Sequence, residues 1–100
     1  METGIKWDAV KEDMAKADWE LVEDNLRKRL VYLGSCFNVM PSGKYYMPWA
    51  CSNVTDEEAK ADMEFQELLE KEADEHGFIV EAGEGDPCDI YIAEYEEVNS

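Results

Sequence analysis

Residues 55–77 constrain the fold most, because they carry every local mark of one long helix. Thr55 can cap the first turn, and Glu58, three residues further on, completes a capping box. Gly77 stands where a helix commonly closes in a left-handed conformation. No glycine, proline or β-branched residue lies between these ends, so local propensity agrees with the pattern. A stripe at helical spacing predicts the side that packs on a core: Phe65, Leu69, Ala73 and His76, flanked by Met63 and Leu68.

The remaining surface of this predicted helix is almost entirely carboxylate. Residues 56–75 contain ten acids and two lysines, and Asp56–Lys60 and Glu67–Lys71 have the spacing of i,i+4 ion pairs. Twenty helical residues span about 30 Å. The acids therefore follow one another at roughly 3 Å, close to the ~3.4 Å between phosphates along one DNA strand. One interpretation is a solvated face that keeps the protein soluble. The other is imitation of a nucleic-acid backbone.

The charge of the whole chain is large and unevenly placed. The net charge is −16, of which −15 falls on residues 56–100. This exceeds the magnitude of about 2–8 that solubility requires of a small domain. Such a field repels nucleic acid and membrane surfaces and steers the protein toward basic partners. Because two acidic copies also repel each other, we expect a monomer or a weak dimer.

The hydrophobic pattern elsewhere predicts an α+β fold. A short helix is expected over residues 7–16, and Asp18 is a good N-cap for a second helix with Trp19, Val22, Leu26 and Leu30 on one face. Arg27, Lys28 and Arg29 would then end that helix and form intramolecular ion pairs rather than a nucleic-acid patch.

From residue 31 onward the pattern changes to that of strands. VYLGSCFNVM and KYYMPW flank a Pro-Ser-Gly turn and predict a hairpin, in which Val31 and Leu33 share a face. FIVEA and the segment 88–95 predict a second hairpin around GEGDP, with Ile90 and Ile92 facing one way. We therefore expect a single domain over 1–100, helical over 1–30 and hairpin–helix–hairpin over 31–95. Its antiparallel four-stranded sheet would carry the long acidic helix and one or two N-terminal helices.

No pattern indicates catalysis, a cofactor or a metal site, and the chain is not expected to be an enzyme. His76 is the only histidine, and Cys36, Cys51 and Cys88 lack the local spacing of zinc motifs. GEGDP has no lysine and precedes a predicted strand, so it indicates a turn rather than a phosphate-binding loop. No signal peptide or run of about 20 apolar residues is visible. Three cysteines without a secretory signal then predict reduced thiols and a cytoplasmic location.

The aromatic residues of the first predicted hairpin offer an alternative function. If Tyr45 and Trp49 face the helices, strand alternation turns Tyr46 outward. Tyrosine and tryptophan are common anchors of protein interfaces. The alternative is therefore a non-enzymatic binding or structural module of a mobile element, with the acids serving solubility.

The runs PSGKYYMPWACSNVT, EEAKAD and VEAGEGDPCD resemble a family of small phage and prophage proteins of unassigned role, over about residues 31–92. The general form, short, strongly acidic and without catalytic motifs, is also similar to anti-restriction and anti-CRISPR inhibitors that mimic DNA. These resemblances imply a phage anti-defence protein, foremost an anti-CRISPR, acting in the bacterial cytoplasm. Its expected partner is a basic nucleic-acid-binding host protein or a CRISPR effector complex.

The partner contacts expected on this hypothesis are carboxylates of the long helix and the following turn, together with one tyrosine. They are Glu57, Asp62, Glu64, Glu67, Glu70, Asp74, Glu84, Asp86 and Tyr46.

Overall fold

The computed structural model describes residues 3–35, 45, 55–83 and 89–98, without the side chains at positions 35, 58 and 62. Within these ranges the chain forms two helices and four strands. They are α1 (Trp7–Lys16), β1 (Glu20–Glu23), β2 (Leu26–Ser35), α2 (Asp56–Glu75), β3 (Ile79–Ala82) and β4 (Asp89–Glu97). The strands make one antiparallel sheet in the order β1-β2-β4-β3. The predicted α+β fold is confirmed.

The second N-terminal helix expected from Asp18 is wrong, because these residues form the β1–β2 hairpin, with its turn at Asp24 and Asn25. All four residues of β1 are exposed, so the apolar Leu21 and Val22 do not face the core. β2 pairs along its length with β4, more than fifty residues away in the chain. Such long-range pairing outweighs a local helical spacing.

The core lies between the helices and one face of the sheet. Val31 and Leu33 of β2 and Ile90 and Ile92 of β4 are buried on this face, which confirms their predicted sharing of a side. The buried residues that pack with them are Ile5, Trp7, Val10, Met14, Tyr45, Leu69, Ala73 and Phe78.

Tyr45 is the one described residue of the returning strand that the sequence predicts after the Pro-Ser-Gly turn. Only 7% of it is exposed, and its hydroxyl donates a hydrogen bond to Asp13 of α1. Burial and the Asp13 carboxylate both raise the pKa of Tyr45. Tyr45 therefore faces a helix, as expected, while the rest of that predicted strand lies outside the described residues.

The closing turn of α2 follows the prediction made from Gly77. Gly77 has a φ of +79°. Its N–H donates to the carbonyl of Asp74 at 2.9 Å, and the N–H of Phe78 donates to that of Ala73 at 2.8 Å. These two bonds form a Schellman motif, which satisfies carbonyls that the helix end would leave without partners. The predicted flank at Met63 is wrong, since this residue is 64% exposed.

Replacing Gly77 with alanine tests this turn. A Cβ at position 77 meets no atom within 4 Å, so backbone conformation is the only source of strain. We expect Gly77→Ala to lower the free energy of unfolding by about 1–2 kcal/mol, because an L-residue is disfavoured at this φ. Urea denaturation followed by circular dichroism measures the change. Gly77→Asn is the matched control and should lose less, since asparagine tolerates the left-handed region; an equal loss in both variants would contradict the assignment.

Candidate functional site: the outward face of α2

α2 packs one side on the core through Leu69 and Ala73, with Phe65 partly buried beside them. The other side is exposed and dominated by acids. We call this exposed set the outward face; it consists of Asp56, Glu57, Glu64, Glu67, Glu70, Asp74 and Glu75.

The structure brings together five of the nine contacts expected from the sequence. Glu57, Glu64, Glu67, Glu70 and Asp74 all belong to the outward face. Position 62 lies within α2, but the Asp62 side chain is not among those described. The remaining three expected contacts, Glu84, Asp86 and Tyr46, lie outside the described residues.

Over residues 55–83 the structure records no ion pair for any acid of the outward face. The pairs Asp56–Lys60 and Glu67–Lys71, expected from their spacing, are therefore not formed. Holding two long exposed side chains in one geometry costs entropy and gains little in water. Among the described residues, no cation therefore lies within ion-pair distance of the carboxylates of the outward face.

Three of the seven acids in the described strands are arranged in the opposite way. They pair with the three consecutive cations of β2. The pairs are Arg27–Glu96, Lys28–Glu81 with 3.6 Å between Nζ and Oε1, and Arg29–Glu94 with 2.7 Å between Nη2 and Oε1. The predicted use of these cations in intramolecular ion pairs is confirmed. The sequence places these cations at the end of a predicted helix, and that placement does not identify their partners. The pairs depend on the β2–β4 and β3–β4 registers.

A tryptophan ring holds two of these cations in place. The guanidinium carbons of Arg27 and Arg29 each lie 4.4 Å from the centre of the Trp19 ring. Arg29 also donates to the carbonyl of Ala15, near the end of α1, at 3.4 Å. Stacking and ion pairing together commit these charges to the fold. Among the described residues, exposed acids without an ion pair are thus most numerous on α2, with fewer on the sheet, at Glu20, Glu23 and Glu97.

Among the α2 acids whose side chains are described, Glu72 is the one that turns inward. Its carboxylate accepts hydrogen bonds from the Thr3 amide at 2.9 Å, the Thr3 hydroxyl at 2.6 Å and the Trp7 indole at 2.7 Å. Burial by itself raises the pKa of Glu72, but these hydrogen bonds and the nearby His76 outweigh it and hold the pKa below the ordinary value of 4.5. The N-terminal segment is thereby fastened to α2.

This anchor makes stability depend on pH. A carboxyl whose pKa is lowered by folding stabilises the native state above its ordinary value of 4.5, and this stabilisation is lost as the pH falls through the lower native pKa. We expect Glu72→Gln to reduce the free energy of unfolding at pH 7 by about 1–3 kcal/mol. The difference from wild type should shrink as the pH falls below 4.5. Urea denaturation at a series of pH values measures both effects.

Glu75→Gln is the matched control, because Glu75 is exposed on the same helix. It should change stability by no more than about 0.5 kcal/mol at any pH. A Glu72→Gln variant as stable as wild type at pH 7 would contradict the anchor.

An open cleft lies beside this anchor, lined by residues of the N-terminal segment and α2. The His76 ring stacks on Trp7, with 5.1 Å between ring centres and 27° between planes. Glu72 already accepts three hydrogen bonds from the protein, so both side chains are committed to joining Trp7 to α2. Among the described residues no three histidine, cysteine, aspartate or glutamate side chains are grouped to hold a metal ion, and all three cysteines lie outside them.

The described helices include none that is both long enough and apolar enough to cross a membrane. No family model, curated protein or solved structure matches this chain. The resemblance to phage proteins therefore stays a prediction, and the functional argument rests on the geometry of α2.

Proposed function

We propose that this protein is a non-enzymatic inhibitor whose outward face imitates a nucleic-acid backbone and occupies the basic nucleic-acid-binding channel of a host protein. One observation carries the proposal. The acids of the outward face have no ion pair over residues 55–83, while Glu81, Glu94 and Glu96 of the sheet are each paired with a cation. Charge that serves only solubility does not require seven exposed acids without ion pairs to be grouped on one side of a single helix.

The periodicity of the helix divides the outward-face acids into two rows. At 3.6 residues per turn, positions seven, eleven or eighteen apart fall within about 20° of one line, whereas positions three or four apart are turned by about 60° or 40°. On a helix about 10–12 Å across, two lines a quarter-turn apart lie roughly 8 Å from each other. One row consists of Glu57, Glu64 and Glu75, and the other of Asp56, Glu67, Glu70 and Asp74.

This arrangement has the form of a groove edge in a duplex. Two phosphate strands border the minor groove of DNA, which is about 6 Å wide. By the same periodicity Lys60, seven residues from Glu67, and Lys71, seven residues from Glu64, lie at the inner margins of the two rows. Seven acids against these two lysines leave both rows negative, so a channel built to hold two phosphate strands offers cations to both rows.

The mechanism is competitive occupation. A strongly negative protein associates rapidly with a positive channel, because the long-range field steers the encounter. Salt screens this attraction, with a Debye length of about 8 Å at physiological ionic strength. The phage resemblance favours a CRISPR effector or a host nuclease as the target, which would make the protein an anti-CRISPR or a related anti-defence protein of the bacterial cytoplasm.

Charge reversal on the outward face tests the proposal. Immobilised wild-type protein is incubated with bacterial lysate, and bound proteins are eluted with a short DNA duplex and identified by mass spectrometry. We expect nucleic-acid-binding proteins to elute. The combined variant Glu64→Lys, Glu67→Lys and Asp74→Lys should recover about tenfold less of them, because six units of charge change on the binding face.

The matched control is the combined variant Glu20→Lys, Glu23→Lys and Glu97→Lys. It makes the same formal change at exposed acids of β1 and β4. It should retain recovery to within about twofold, because its charges lie off the binding face. Equal loss in both variants, or proteins that resist elution by DNA, would contradict mimicry.

A further inference from the structure

The two edges of the sheet differ in how they are protected. β1 carries Glu20 and Glu23 at its ends, and a register shift interrupts its pairing between Leu21 and Glu23. Charges and bulges of this kind commonly prevent another strand from adding to an edge. β3 pairs with β4 in unbroken register and has one charged residue, Glu81, which is already paired with Lys28. Among the described strands, β3 therefore forms the unprotected edge.

The register identifies the backbone groups of β3 that point away from β4 and form no hydrogen bond with it. The N–H of Gly83 donates to the carbonyl of Asp89 at 2.8 Å, so these two residues form a hydrogen-bonded pair. Hydrogen-bonded and non-hydrogen-bonded pairs alternate along an antiparallel ladder. Glu81 then bonds to β4, while Val80 and Ala82 direct their N–H and C=O groups away from it. In the described part of the chain no strand pairs with that side.

A groove runs beside these groups, between β3 and α2. Leu69 and Ile90, both buried, contribute apolar surface to it, together with Val80. Gln66 and Glu70 line it from α2. Glu70 is exposed and, among the described residues, has no cation within ion-pair distance. The groove thus combines an edge that can form hydrogen bonds, an apolar interior and a negative rim.

We propose that the β3 edge takes up an extended, cationic peptide segment of another protein as a fifth strand, laid between β3 and α2. The peptide backbone would bond to Val80 and Ala82, and alternate side chains would contact Leu69 and Val80. Lysine or arginine side chains on the segment would meet Glu70 and the adjacent negative field of α2. A cationic segment is favoured over a second copy of this chain, because the net charge of −16 opposes self-association.

Synthetic peptides can separate strand addition from simple charge attraction. The probe is an acetylated seven-residue peptide of alternating lysine and valine, compared with two derivatives of it. One derivative is N-methylated on its valines, and the other on its lysines. All three peptides have the same charge. In an added strand, however, either the valine amides or the lysine amides of the peptide face β3, and not both. We expect one derivative to lose about tenfold in affinity by calorimetry while the other binds within about twofold of the parent.

Equal affinities for the two derivatives, whether retained or lost, would overturn the proposal. Amide hydrogen exchange provides a direct readout on the wild-type protein. Saturating parent peptide should slow exchange at Val80 and Ala82 by about tenfold, since their outward N–H groups acquire partners. Exchange at Glu20, on the other edge, should not change. Unchanged exchange at Val80 and Ala82 would contradict strand addition.

Substitutions complete the test. Ala82→Pro removes an outward N–H without removing a bond to β4, and proline is tolerated at such edge positions. It should weaken binding of the parent peptide by about tenfold. Glu70→Lys should also weaken it, whereas Glu20→Lys, the matched charge reversal on the other edge, should change it by no more than about twofold. Full binding by Ala82→Pro with an unchanged circular dichroism spectrum would overturn the proposal.

This inference shares Glu70 and the negative field of α2 with the proposed function, but the two are tested on different groups. Strand addition is decided by the amides of Val80 and Ala82, and mimicry by Glu64, Glu67 and Asp74, which do not line the groove. Failure of one therefore leaves the other standing.

Discussion

Ion pairs across the two central strands favour one register of the sheet in a chain with 25 acids and nine bases. Arg27 and Arg29 meet Glu96 and Glu94 directly across the β2–β4 ladder, and Trp19 packs against both guanidinium groups. Like charges facing each other across strands are destabilising, whereas opposite charges stabilise the pairing. Because β2 and β4 are the two central strands, the register that these pairs favour also fixes where β1 and β3 lie.

This use of cations determines what remains on the surface. Three of the nine bases are consecutive in β2 and are all paired with acids of the sheet. α2 then keeps an outward face whose charge is not compensated, while its inward side is fixed by Leu69, Ala73 and the Glu72 anchor. Because the helix backbone that carries these acids is already packed on the core, binding does not have to order the helix itself. That property, more than the amount of charge, suits α2 to occupy a preformed basic channel.

The sequence predicts the helices well and the β1–β2 hairpin not at all. The bounds of α1 follow from the spacing of Trp7, Val10 and Met14. Those of α2 follow from its end signals and its lack of helix-breaking residues. Both helices are predictable because these signals are local in the sequence. Residues 18–30 also have helical spacing, yet they contain the β1–β2 hairpin. Arg27 and Arg29 of this hairpin form ion pairs with Glu96 and Glu94 of β4. The outward face was predictable from periodicity and charge. The pairing that distinguishes its acids from the paired acids of the sheet required the strand register, and the unprotected edge of β3 required the strand order.

The central claim is that accessible negative charge is denser along α2 than along the central strands β2 and β4. Paramagnetic relaxation of backbone amides measures this directly when a cationic nitroxide is compared with a neutral nitroxide of the same shape, because their ratio reports the local potential. The account predicts that the cationic probe is enriched most along residues 56–75 and least along β2 and β4, with the contrast falling as salt is added. Equal enrichment over α2 and the sheet would contradict the account.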